Sequence, residues 1–125
     1  MHFGGAPLAR YDLALAALRL IHIEAERRIT VGDLARELGV GMRAIEYAFD
    51  EVVGVSPGRY ILADKLNRAR HKLMTATKVH ENVTTVAFDN RFNNLSRFAM
   101  QYARLFDERP SDTLRMARQK FHEAK

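Results

Sequence analysis

The sequence repeats itself, degenerately, in its two halves. Ala35 matches Ala87 at an offset of 52, and Ile45, Phe49, Gly54 and Pro57 match Phe98, Tyr102, Asp107 and Pro110 at an offset of 53. One residue is therefore inserted in the turn of the second copy. Each copy reads as a short helix, a tight turn, a second helix and a helix opened by proline. A repeat of this kind narrows the fold to two like helical units, because both copies offer the same apolar positions for burial.

Helical spacing runs along nearly the whole chain. Leu13, Ala16, Ala17, Leu20 and Ile21 recur at intervals of three and four, which predicts a helix within residues 8–27. Thr30 is an N-cap with Asp33 in the first turn, and Gly39 stops the helix they open. A second helix from Met42 turns Ile45, Ala48, Phe49 and Val52 inward. Gly54, Ser56 and Pro57 end that unit, and Pro57 opens a long helix, 57–76, with Tyr60, Ile61, Leu66, Ala69 and Leu73 as its stripe. Residues 77–81 read as a polar loop, and Asn82 caps a helix over 83–90. A helix starting near Asn94 carries Phe98, Tyr102, Leu105 and Phe106 inward, and Pro110 opens the last one, with Asp112 in its first turn. No strand alternation appears. The expected fold class is all-α: two helix-turn-helix subdomains joined by a long linker helix, about seven helices in all.

Composition removes several function classes. Hydrophobic residues make up 47% and charged residues 28% of the 125, as in a soluble globular chain. No apolar run approaches the roughly 18 residues of a membrane span, and no signal-peptide pattern opens the sequence, so the expected location is the cytoplasm. With no cysteine there is no disulfide framework, thiolate metal site or cysteine nucleophile. His71 stands seven residues from Asp64 and His22 four from Glu26, spacings that charged helices show by chance. There is no HExxH, no G-x-S-x-G and no phosphate-cradling glycine loop, while Ser56 and Ser111 adjoin prolines as helix caps do. The chain reads as neither an enzyme nor a holder of cofactor or metal.

Charge supplies the positive indication. The net charge is +5, yet residues 1–41 balance and 79–90 are acidic, so the excess sits in two basic blocks, 42–78 and 91–125. Each block takes in the second helix of one unit together with the helix that follows it. A helix-turn-helix lays its second helix in the DNA major groove. With the core positions inward, Arg43, Glu46, Tyr47 and Asp50 face out in the first unit, and Ser96, Arg97, Met100, Gln101 and Arg104 in the second. Arg43 and Arg97 suit guanine O6 and N7, Glu46 can accept from cytosine N4, and Tyr47 and Met100 offer apolar surface to thymine methyls. Arg59, Lys65, Lys72 and Arg104 suit phosphates.

The stretch from Thr30 to Arg115 resembles the C-terminal DNA-binding domain of the AraC/XylS family of bacterial transcription regulators. The first half of the resemblance lies in Thr30, Asp33-Leu34-Ala35, Gly39-Val40, Arg43, Ile45, Phe49, Gly54-Val55-Ser56-Pro57, Tyr60, Lys65-Leu66 and Ala69. The second lies in Val83-Thr84-Thr85-Val86-Ala87, Phe92, Leu95-Ser96-Arg97-Phe98, Tyr102, Phe106 and Pro110-Ser111. The resemblance implies one DNA-binding domain over 8–125 after a flexible start, 1–7. Its parts are helix-turn-helix units at 30–56 and 82–109, the linker helix 57–76 and a C-terminal helix 110–122. It implies two recognition helices in successive major grooves of a double-stranded operator. Base-reading positions carry over to Arg43, Glu46, Tyr47, Leu95, Ser96, Arg97 and Met100, and phosphate contacts to Thr30, Arg59, Lys65, Asn94, Gln101 and Arg104. Family members mostly activate transcription, often by touching RNA polymerase, and most carry a separate N-terminal sensing or dimerisation domain. This chain, acting at the nucleoid, reads either as a fragment, which the linker-like start Met1 to Pro7 favours, or as a small single-domain regulator.

Two departures bear on the turns. Gly41 stands where the family commonly has a capping serine, and Asn90-Arg91 where it has an aromatic residue and glycine, which predicts a shifted or weaker second turn. The competing reading is a protein-binding module that keeps the fold without the DNA grip, suggested by Glu46, Asp50 and Glu51.

Overall fold

The computed structural model describes residues 9–24, 29–76 and 81–123. Seven α-helices follow in order: α1 (Arg10–Ile23), α2 (Val31–Leu38), α3 (Met42–Ala48), α4 (Pro57–Met74), α5 (Val83–Asp89), α6 (Leu95–Phe106) and α7 (Pro110–Glu123). A π-helical turn, Phe49–Val53, continues α3. No strand occurs among the described residues, and no helix there is long and apolar enough to cross a membrane. The expected start at 1–7 and most of the expected loop at 77–81 fall outside the described residues. The first helix is shorter than the span 8–27 allowed, and α4 ends two residues before 76, with the Thr75 hydroxyl donating to the His71 carbonyl.

The chain divides into two compact units, with the boundary between Leu62 and Ala63 inside α4. In the first, Leu13, Ala14, Ala17 and Ile21 of α1 pack with Leu34, Ala35 and Leu38 of α2 and with Ile45, Ala48 and Phe49. Tyr60 and Ile61 pack against the same cluster. In the second, Leu66, Ala69, Leu73, Val86, Ala87, Phe92, Phe98, Tyr102 and Leu114 are buried. An aromatic ladder runs through it, with ring centroids 4.6 Å apart for Phe92–Phe98, 5.7 Å for Phe98–Tyr102 and 4.6 Å for Tyr102–Phe106. The Tyr102 hydroxyl lies 2.7 Å from that of Thr113, which also donates to Glu108, so this buried pair is satisfied. Burial pushes the Tyr102 phenol above its ordinary range.

The repeat is visible in hydrogen bonds as well as in sequence. Thr30 and Asp33 form a capping box, with reciprocal bonds of 2.9 and 3.1 Å, and Asn82 and Thr85 form its counterpart 52 residues later, at 3.1 and 2.9 Å. The turns match: the Val40 amide donates to the Ala35 carbonyl, and the Phe92 amide to that of Ala87, both at 3.0 Å. The second helices end alike, at Gly54 (φ 87°) and Asp107 (φ 56°).

Two inward assignments are corrected. Val52 is 37% exposed, and Val53 packs on the core instead. The π turn is the cause: it closes with i→i+5 bonds, such as the Gly54 amide to the Phe49 carbonyl at 2.8 Å, and its extra residue moves the inward phase on by one. Leu105 is 47% exposed because Phe106 takes the inward place in the last turn of α6, held between Tyr102 and the Arg70 guanidinium 4.8 Å from its ring. Ala16 and Leu20 are half-buried at the margin of the α1 stripe.

Phe98 is fully enclosed, so Phe98→Ala is expected to cost about 3–5 kcal/mol, measured by urea unfolding followed by circular dichroism. Two caps set an acid limit. The Thr30 amide, then its hydroxyl, holds the Asp33 carboxyl below its ordinary range, and the Arg109 guanidinium and amide do the same for Asp112. Both carboxyls bind protons less readily folded than unfolded, so their stabilisation is present above the ordinary carboxylate range and is lost as pH falls through the depressed values. The thermal midpoint is expected to drop between about pH 5 and pH 2, and Asp33→Asn with Asp112→Asn to make that drop shallower.

Candidate nucleic-acid interface

In the first unit, α3 starts at Gly41, whose backbone is extended (φ −78°, ψ 159°) and which gives no side-chain cap, as its identity requires. The helix buries Ile45 and Ala48 and leaves Met42, Arg43, Glu46, Tyr47 and Asp50 outside. Arg43, Glu46, Tyr47 and Asp50 follow the i, i+3, i+4, i+7 rule and share one face. Among the described residues no hydrogen bond or ion pair engages the side chains of Arg43 or Glu46. The Tyr47 ring is 51% exposed, with the Arg10 guanidinium 5.4 Å from its centroid. Arg59, in the first turn of α4, anchors its amide on the Ser56 hydroxyl at 3.2 Å and extends its guanidinium into solvent.

In the second unit, Asn94 caps α6, its Oδ1 accepting from the Arg97 amide at 2.9 Å. Leu95, Ser96, Arg97, Met100 and Arg104 are exposed and Gln101 is half-buried. Arg97, Met100, Gln101 and Arg104 share the same i, i+3, i+4, i+7 spacing, one residue on from the positions that the repeat pairs with the α3 set. Arg97 and Arg104 make no side-chain hydrogen bond or ion pair among the described residues.

Three expected phosphate ligands carry structural work of their own. Thr30 closes the α2 capping box and Asn94 caps α6. Half-buried Lys65 donates to the Arg91 carbonyl at 3.3 Å, with its Nζ 4.3 Å from the centre of the Phe92 ring. That contact braces the unusual turn. Arg91 stands 52 residues after Gly39 and takes the same left-handed backbone, φ 70° against 68°. Asn90 stays at φ −96° and its side chain donates to the Val86 carbonyl at 2.7 Å, so the turn keeps its position instead of shifting. The periodicity gave no sign of Arg10, which reaches the α3 face from α1, or of the Lys65 brace.

Among the described residues no group of three or more His, Asp or Glu is placed to hold a metal ion. The chemistry on offer is that of exposed donors and apolar surface on two short helices.

A helix-turn-helix domain family matches residues 34–116. The chain is 31% identical over 99 residues to a probable thc operon regulatory protein of Rhodococcus erythropolis, a match covering 79% of this chain and 30% of that protein. It is 33% identical over 103 residues to XylDLEGF operon transcriptional activator 2 of Pseudomonas putida, covering 82% and 66% respectively. The chain thus spans only part of either relative. Its fold is similar to the crystal structure of a probable AraC family transcriptional regulator from Rhodopseudomonas palustris, with a TM-score of 0.78 and 31% identity, covering 86% of this chain and 98% of that one. A regulator with an AraC-type DNA-binding domain from Chromobacterium violaceum shares the fold at a TM-score of 0.75 and 24% identity, covering 86% and 94%.

The paired turns permit a direct comparison. Arg91→Gly is expected to raise stability by about 0.5–1 kcal/mol, since glycine relieves the left-handed strain and the Lys65 brace uses only the carbonyl. Gly39→Ala is expected to lower it by about 1 kcal/mol, both read from thermal midpoints.

Proposed function

The chain belongs to the AraC-type helix-turn-helix family of DNA-binding transcription regulators, and from that membership we propose that it reads double-stranded DNA by placing α3 and α6 in major grooves. One observation supports this above the others. The second helix of each unit turns outward a four-position face that carries an arginine with no side-chain partner among the described residues. Unpaired arginine on such a face offers two parallel donors to guanine O6 and N7, a contact worth about 1–3 kcal/mol of discrimination.

Base reading then falls to Arg43, Glu46 and Tyr47 on α3 and to Leu95, Ser96, Arg97 and Met100 on α6. Glu46 accepts from cytosine N4, while Tyr47, Leu95 and Met100 lie against thymine methyls. Arg59, Arg104, Gln101 and Lys65 meet phosphates, as do the helix starts at Thr30 and Asn94, and these contacts fix register without reading sequence. Activation is part of the proposal because the Pseudomonas putida relative is named a transcriptional activator. Contact with RNA polymerase, a separate N-terminal sensing or dimerisation domain and action at the cytoplasmic nucleoid complete it. Residues 8–125 serve in this reading as the DNA-binding domain.

Selection from a random duplex pool, followed by footprinting of the enriched sequence, tests the proposal. Two boxes about one helical turn apart are expected. Arg43→Ala and Arg97→Ala should each relax one position by about 1–3 kcal/mol, whereas Arg59→Ala should weaken all sequences alike and reduce the salt slope by about one. Salt-sensitive binding without enrichment would instead favour the protein-binding module.

A further inference from the structure

Arg10 is oddly placed for a residue serving its own helix. It opens α1, where the amide dipoles disfavour a cation, and Ala9 before it gives no side-chain cap. Its side chain crosses to the end of the second helix of the first unit. There Nη1 donates to Glu51 Oε2 at 2.9 Å, and the guanidinium stands 5.4 Å from the Tyr47 ring centroid. Tyr47 and Glu51 are four residues apart across the junction between α3 and its π turn, so one planar group spans both. Arg10 and Glu51 remain 59% and 57% exposed as side chains, and ion pairs so open to water add little to folding.

We propose that Arg10 is a positioning residue for DNA specificity, holding the Tyr47 ring in one orientation on the reading face of α3 while neutralising the Glu51 carboxylate beside it. This rests on the assignment of α3 to base reading and adds a residue from outside the helix-turn-helix to it. An exposed tyrosine has two side-chain torsions to fix. A guanidinium held by Glu51 limits the ring to the arrangement its face allows, so the base-pair preference at that position depends on a residue that touches no base. Neutralising Glu51 has a second effect: it removes a carboxylate that would otherwise repel the duplex from the end of the helix.

Those two effects separate in a Glu51→Gln background, where the amide oxygen can still accept from Arg10 but Arg10→Ala no longer exposes a carboxylate. Binding is measured to the selected duplex and to its single-base variants across a salt series. Arg10→Ala is expected to reduce discrimination by about 2- to 5-fold, the range of an exposed cation–π contact, at the base pair where Tyr47→Ala acts and nowhere else. In a Tyr47→Ala background, Arg10→Ala should cause no further change. Arg10→Lys keeps the charge but not the planar stacking group, so it should hold overall affinity and lose part of the discrimination. In the unbound chain, the Tyr47 ring resonances should move in Arg10→Ala, with the thermal midpoint nearly unchanged. Uniform weakening with a smaller salt slope would make Arg10 a phosphate ligand and overturn the proposal, as would unmoved Tyr47 resonances. Unaltered discrimination in Arg10→Ala, with Tyr47→Ala still active, would remove the positioning role alone. If Tyr47→Ala shifted no base preference, the assignment of α3 would fall with it.

Discussion

Each unit depends on one residue that turns the chain left-handed between two helices. Gly39 and Arg91 do this, and each is followed by an amide, of Val40 or Phe92, that donates back to the carbonyl of the alanine five residues upstream of it. That bond closes the first helix and aims the next segment, so it determines where α3 and α6 begin and which of their faces turn outward. The buried alanines, Ala35 and Ala87, are part of the same constraint, since a larger side chain there would hold the two helices apart. The first unit meets the constraint with glycine, which adopts this backbone without strain. The second meets it with arginine, and the Lys65 contact to the Arg91 carbonyl and Phe92 ring supports a backbone that arginine alone does not favour.

Much of this was legible because it is written in local chemistry. The caps at Thr30 and Asn82, the stop at Gly39 and the opening prolines act within a turn of themselves, and the structure places helices where they direct. The outward faces of α3 and α6 followed from spacing alone. What escaped depends on contacts that no short window contains. The π turn at 49–53 displaced Val52 outward and Val53 inward, and nothing in Phe49-Asp50-Glu51-Val52-Val53 distinguishes it from an α turn. Leu105 lost its inward place to Phe106 through Arg70, a residue on another helix. Arg10 meets Glu51 across a separation of 41 residues. For the proposed DNA contacts, sequence supplied the candidates, and the structure supplied which of them, Thr30, Asn94 and Lys65, also serve as caps and braces.

Eight of the arginines fall into two groups. Arg36, Arg68, Arg109 and Arg115 pair with aspartates three or four residues away on their own helices or caps. Arg43, Arg59, Arg97 and Arg104 are left without such partners among the described residues. Surface pairs contribute little to folding, so their significance lies in the field they cancel. What remains is uneven: α6 turns out two of these cations, Arg97 and Arg104, whereas on α3 Arg43 shares its face with Glu46 and Asp50.

Three of the helices are very short: eight residues for α2 and seven each for α3 and α5. A helix of that length does not persist alone in water, since isolated helices below about 12–15 residues are marginal. The surface carried by α3 therefore exists only while α1 and α2 hold its other side. Affinity for a ligand of that surface is linked to the folding equilibrium beneath it: a cavity opened at Leu34 or Ile45 would register as weaker binding although every outward side chain were unchanged. Selection acting on recognition would thus preserve the interior as strictly as the exterior, and adaptation at the surface would be bounded by how much stability the small core has to spare.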